Sequence, residues 1–355
     1  MNGIAPTATL PAAIGELCRR VRAVENRFAG QARIHQLTLA RPGGSLGELD
    51  HAIRRVAAIR RVATPAPLET VVSVFAGDHG VAVRGVSAFP HGHTSQVLGL
   101  IAAGRAPVNI LAERLPARVV HADVGLVRPV GDQRYKVAAG TRDLTVADAM
   151  TAEEAEQAIV NGARYTEERL GGSALVVLGE IGIGNTTAAS ALAARLLRTG
   201  ADGMVGSGSG VPRTTTDRKR DLVERALRRV AGLPDDPLRL LRALGGLEIA
   251  ANVGAILAAA GQRRVVLLDG VITGVSALVA VRMCPPVAGY LVAGHQSSEP
   301  AHAGLLARLG LAPLLRLNMH LGMASGAALA AGVLNSALAV AAGTPAADAT
   351  GLAVR

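Results

Sequence analysis

Tryptophan is absent from this chain, phenylalanine and tyrosine occur three times each, and lysine occurs only at Lys136 and Lys219. A core without large rings has to be filled by Ala, Leu, Val and closely packed Gly. The 50% hydrophobic content and 42 glycines supply that material and exclude a disordered chain. The scarcity of rings also removes the stacking platforms used to bind single-stranded nucleic acid. Two cysteines, Cys18 and Cys284, are too few and too far apart for a disulfide framework or a four-thiolate zinc centre. Met1–Ala13 lacks a basic stretch followed by an apolar run, so no secretory signal is read and a cytoplasmic location is expected.

The formal net charge of +10 is carried almost wholly by arginine, in pairs such as Arg54-Arg55 and Arg228-Arg229 set between apolar residues. That spacing predicts solvated helix faces rather than a nucleic-acid surface. Leu317 to Ala347 contains no Asp, Glu, Lys or Arg, which raises the question of a membrane span. The run is dominated by Ala and broken by Gly322, Gly326, Gly332, Asn335 and Ser336, so a buried helix is expected and no membrane contact.

Short apolar runs alternate with longer helical patterns, the rhythm of a parallel sheet wrapped by helices. Strands are predicted at Val71–Ala76, Arg118–Val124, Ala174–Gly179, Arg263–Asp269 and Gly289–Ala293, and helices at Ala188–Leu197, Asp217–Ala231, Leu244–Gly261 and Ala327–Ala341. The 355 residues exceed one ordinary core. The expectation is an α/β fold, a doubly wound parallel sheet flanked by helices, with a smaller helical domain. Residues 1–60 form the N-terminal helical part of the small domain, 61–310 the doubly wound body, and 311–355 a helical segment packing with the small domain. Arg41–Gly47, with Pro42, Gly43 and Gly44, is the most linker-like stretch.

In such sheets ligands lie beyond the carboxyl ends of the strands, so the glycine-rich turns there are the places to look. Gly77-Asp78-His79-Gly80 could orient a ligand, or could be a tight turn capped by Asp78. Gly179-Glu180-Ile181-Gly182-Ile183-Gly184-Asn185-Thr186-Thr187 opens a helix, and its small residues suit an anion approaching backbone N–H groups. It is neither a dinucleotide fingerprint nor a P-loop, which leaves a phosphate cradle of another kind or plain close packing. Gly206-Ser207-Gly208-Ser209-Gly210 precedes Lys219, a possible point charge for phosphate or a solvated residue of a first helical turn. Ser297 and Ser298 follow another strand, as phosphate ligands or helix caps.

Taken in order, several blocks resemble the nicotinate-nucleotide:dimethylbenzimidazole phosphoribosyltransferase family. They are Ala76-Gly77-Asp78-His79-Gly80-Val81, the Gly179–Thr187 turn, Gly245-Gly246-Leu247-Glu248-Ile249-Ala250, Leu268-Asp269-Gly270-Val271-Ile272-Thr273, and Gly294-His295 with Glu299-Pro300. The resemblance implies a homodimer that transfers 5-phosphoribose from nicotinate mononucleotide to a nitrogen of an aromatic acceptor, with no cofactor and no metal. It implies phosphate and ribose binding by Gly182, Gly184, Asn185, Thr186, Gly208, Lys219, Ser297 and Ser298, and acceptor binding by Ser87, Phe89, Pro90, Gln96 and Leu321.

Two blocks depart from the family. Leu321-Gly322-Met323-Ala324-Ser325-Gly326 carries Met323 where the family has the glutamate that takes the acceptor's proton, and a thioether cannot do so. Pro90-His91-Gly92-His93-Thr94-Ser95-Gln96 keeps Thr94 and Gln96 of the family's Pro-x-Glu-Val-Thr-x-Gln but introduces two histidines and a glycine. Glu180 is the expected base, with His91 and His93 as weaker candidates. The departures also leave open a specialised paralogue using a phenol or another heterocycle, and a non-catalytic nucleotide-binding subunit.

Overall fold

The computed structural model describes residues 10–90, 92–208 and 210–350. His91, one of the expected base candidates, lies outside the described residues. Six strands form one sheet: β1 (Thr70–Gly77), β2 (Arg118–Gly125), β3 (Leu175–Ile181), β4 (Val265–Leu268), β5 (Leu291–His295) and β6 (Pro313–Leu315). All pairings are parallel and the order is β2-β1-β3-β4-β5-β6. β1 and β4 are buried throughout, as strands covered by helices on both faces must be, which is why they read as apolar runs broken only by Ser73 in β1.

Five strands were expected and a sixth is present. Pro313–Leu315 is three residues long and starts with proline, a residue that suits an edge strand and gives no periodic signal. It carries the sheet past residue 310, where the doubly wound body was expected to end.

Helices Ala152–Arg169 and Leu247–Gly261 show what the lack of aromatic residues permits. A methyl group added at Gly254 would run into the Ile159 carbonyl, and one at Gly162 into the Ala251 carbonyl, so the two backbones touch directly. Gly254→Ala is therefore expected to cost about 3 kcal/mol, the upper end of overpacking, and chemical denaturation checks it. The first of these helices starts from a capping box, with Thr151 Oγ1 accepting from Glu154 N and the Glu154 carboxylate accepting from Thr151 N.

Helices Ala12–Arg20 and Glu48–Arg60 share one continuous core with the sheet and with Ser325–Gly343, and Asn26–Thr38 packs on Glu48–Arg60. Leu39 bridges Ala346, and Glu48–Arg60 packs on Ser325–Gly343, so segments from the two halves of the chain meet in one layer. The Arg41–Gly47 stretch is a turn within this layer, tied down by the Arg41–Asp50 ion pair at 2.6 Å, rather than a free linker. Ser325–Gly343 is long and apolar enough by composition to cross a membrane, and half of it is buried against the rest of the fold.

Candidate active site

The strand order reverses around β1, placing a crevice between the ends of β1 and β3, and the turns after β3, β4 and β5 open onto it. A cavity of about 270 Å³ lies there, its wall including Glu180, Gly184, Asn185, Gly208, Ser297 and Met323.

One end of the cavity is built from backbone. Gly184 has φ +95°, a left-handed conformation that glycine adopts without strain, and it turns the chain from β3 into helix Asn185–Leu197. Asn185 N and Thr187 N donate to the Gly182 and Gly184 carbonyls, which leaves Thr186 N at the dipole-positive, anion-attracting end of that helix. The buried Thr94 hydroxyl accepts from Ile183 N at 3.1 Å and fixes the turn. Gly208 lies against Thr186 beside this turn, its N–H donating to Glu299 Oε1 at 2.8 Å.

Lys219 does not line the cavity; it lies buried behind Gly208 and Thr186. Its Nζ donates to Thr186 Oγ1 at 3.1 Å and to the Gly206 carbonyl at 2.9 Å, joining the two glycine turns. Burial pulls its pKa down, and the nearby Glu299 carboxylate opposes that shift. Of the two serines, Ser297 lines the cavity, whereas Ser298 is exposed and donates its N–H to the Met319 carbonyl at 3.1 Å.

His302 holds Ser297 in place. Its Nδ1 accepts from Ser297 N at 2.9 Å, and burial, with His295 beside it, lowers its pKa to about 4. A histidine kept neutral in the fold but free to protonate when unfolded makes stability rise with pH between the two pKa values. Between pH 6.5 and 4.5 the protein should lose about 2–3 kcal/mol from this residue alone. His302→Asn, which retains an acceptor, should show an acid loss smaller by that amount in denaturation curves.

On the cavity wall Glu180 is buried, with its carboxylate accepting from Asn185 Nδ2. Burial, then the carboxylates of Glu248 and Asp269, raise its pKa well above the ordinary range. Glu248 is itself paired with the fully buried His79, Nε2 to Oε1 at 2.7 Å. Asp269 accepts from Ala327 N at 2.9 Å and lies 3.3 Å from His295 Nε2.

A phosphoribosyltransferase family model matches residues 21–351. Proteins with the name nicotinate-nucleotide--dimethylbenzimidazole phosphoribosyltransferase are similar along most of their length. The one from Chloroflexus aurantiacus is 40% identical over 88% of this chain and 91% of its own. The one from Salinispora tropica is 42% identical over 86% and 89%. The crystal structure of CobT from Thermus thermophilus superposes with a TM-score of 0.88 at 36% identity, covering 92% of this chain and 99% of that one. The chain belongs to this phosphoribosyltransferase family.

The other end of this phosphoribosyltransferase's cavity is apolar, formed by Val86, Phe89, Val97, Leu321 and Met323, with Ser87 beside them. Phe89 stacks on His93, centroids 4.4 Å apart and planes 6° from parallel, and His93 Nδ1 lies 3.2 Å from Gln96 Oε1. Gln96 is exposed and, like Pro90, lies off the cavity wall, touching it only through its contact with His93. Met323 is buried at φ +56°, between Gly322 at +75° and Ala324 at +64°. Three consecutive left-handed residues, two of them not glycine, are unusual and hold this turn against the end of β3, where Met323 N donates to the Glu180 carbonyl at 3.3 Å.

The structure adds residues to which sequence reasoning gave no role. Glu299 and Asp269 stood within recognised blocks, but their contacts to Gly208 and Ala327 link distant segments. His302 and His320 had no local pattern, and His320 lines the cavity next to Leu321. Among the described residues no group of His, Cys, Asp and Glu is arranged to hold a metal ion.

Proposed function

We propose that the chain transfers 5-phosphoribose from nicotinate mononucleotide to a ring nitrogen of an aromatic acceptor, 5,6-dimethylbenzimidazole by default. The products are an α-riboside 5′-phosphate and nicotinate. The observation that carries this reading is a single cavity whose wall combines glycine turns backed by Lys219, a cluster of apolar side chains and the buried Glu180. The names of the relatives support the donor and the acceptor.

The donor's phosphate sits at the Thr186 N–H after Gly184 and near Gly208 and Ser297, where the Lys219 charge adds to the helix dipole. Its ribose lies over Glu180, and a carboxyl with a raised pKa donates a hydrogen bond to a ribose hydroxyl more readily than it takes a proton. That environment favours Glu180 as a ribose-positioning group over the role of base. The pyridinium leaves as neutral-ring nicotinate while the acceptor attacks from the opposite, apolar side, so the enzyme's work is alignment and electrostatic shelter of an oxocarbenium-like ribose. We further propose that the chain works as a homodimer in the cytoplasm. Phe89 and Leu321, 42% and 51% exposed at the cavity's apolar end, support a partner's approach there.

Mixing the protein with nicotinate mononucleotide and a panel of benzimidazoles, purines and phenols tests the proposal. Acceptor-dependent nicotinate release with benzimidazoles is expected. Release with phenols alone would indicate the specialised paralogue, and tight donor binding without release under any condition would indicate a nucleotide-binding subunit.

A further inference from the structure

We propose that His320 is the base that takes the acceptor's proton, replacing the carboxylate that Met323 cannot supply. The inference rests on the phosphoribosyl-transfer reading above. His320 lies on the cavity wall, three residues before Met323 on the same loop. The loop bends sharply, with Asn318 at φ +55° and Gly322, Met323 and Ala324 also left-handed. Within it, His320 Nδ1 is 3.4 Å from the Asn318 carbonyl. In the tautomer that donates Nδ1–H to that carbonyl, Nε2 presents a lone pair, the arrangement a histidine base requires.

The other titratable groups on the wall are engaged elsewhere. His93 is stacked on Phe89 and directed to Gln96, and Glu180 is held by Asn185. Asp269 is held by Ala327 N and faces His295, and Glu299 is held by Gly208 N. Among the described residues, His320 is the titratable group on the wall whose ring bonds to no other side chain. It is also exposed, so a proton received at Nε2 passes to solvent without crossing the core.

In the step, the acceptor's unprotonated ring nitrogen forms a bond to the anomeric carbon. The bond from that carbon to the nicotinate nitrogen breaks, and its electron pair stays on the pyridine ring. The acceptor's N–H proton moves to His320 Nε2 and then to water. No oxidant, reductant or metal enters the balance.

The test compares the wild type with His320→Ala, Met323→Glu and the double variant, using nicotinate mononucleotide and dimethylbenzimidazole. His320→Ala should lower turnover by about 100-fold or more, the usual cost of losing a general base, with donor affinity by calorimetry unchanged. Met323→Glu added to His320→Ala should restore at least tenfold of that loss, as should free imidazole, which a merely structural role would not allow. Turnover in His320→Ala that keeps pace with a working wild type would overturn the assignment of the base alone. Failure of both rescues would do the same. Donor binding by a wild type that releases no nicotinate with any acceptor would overturn the transfer reading and the base with it.

Discussion

Replacing Gly184 by valine should abolish detectable binding of nicotinate mononucleotide while leaving a folded chain. At φ +95° a β-branched residue is strained, and its Cβ would stand 3.3 Å from Ala82 Cβ, His79 Cβ and Val81 Cγ1. The turn can accommodate this only by shifting, and the turn is what aims the Thr186 N–H and the N-terminal dipole of Asn185–Leu197 at the phosphate. A loss of more than about 1,000-fold in affinity is expected, roughly 4 kcal/mol. Gly184→Ala should show a smaller loss in the same direction. Circular dichroism should be unchanged in both, since the strain falls at one turn outside the strands.

Removing the charge of Lys219 should produce the second largest effect. Its ammonium holds the turns containing Thr186 and Gly206 together and stands just behind Gly208 on the cavity wall. Lys219→Met keeps most of the buried hydrocarbon and deletes the charge, so donor affinity should fall by about 100-fold, within the 2–5 kcal/mol typical of truncating a buried charged partner. Affinity for dimethylbenzimidazole alone, which carries no phosphate, should change by less than about twofold on the same energy scale. Equal weakening of both ligands in calorimetry would assign Lys219 to the scaffold rather than to the phosphate.

Much of this site is legible in the sequence because its parts are local. β1, β3 and β4 are mostly apolar and buried on both faces, and the turns after them combine glycine with polar side chains. Such features survive reduction to a string of letters. Boundaries were less legible where helices begin or end without a strong cap: the helix predicted from Asp217 starts at Arg213, and the one predicted from Leu244 starts at Leu247. β6 is too short to show a period.

Roles that depend on tertiary placement were not legible at all. Ser297 and Ser298 look alike in sequence, yet one lines the cavity and the other faces solvent, because His302, five residues beyond Ser297, accepts the Ser297 N–H. Lys219 reads either as a point charge for phosphate or as a solvated residue of a first helical turn, and it is buried because the loop containing Gly206 and Gly208 folds over it. His320 is a single imidazole in a loop, and its importance depends on left-handed residues at Asn318, Gly322, Met323 and Ala324 that no residue preference foretells. Only the substitution at position 323 hinted that a base had to come from elsewhere.

The most direct measurement of the central claim is product analysis at equilibrium with nicotinate mononucleotide and dimethylbenzimidazole, by mass and proton NMR. Phosphoribosyl transfer with inversion predicts one α-configured riboside 5′-phosphate for every nicotinate released. Nicotinate accompanied by free ribose 5-phosphate would contradict it, because the cavity would then admit water rather than an aromatic acceptor to the anomeric carbon.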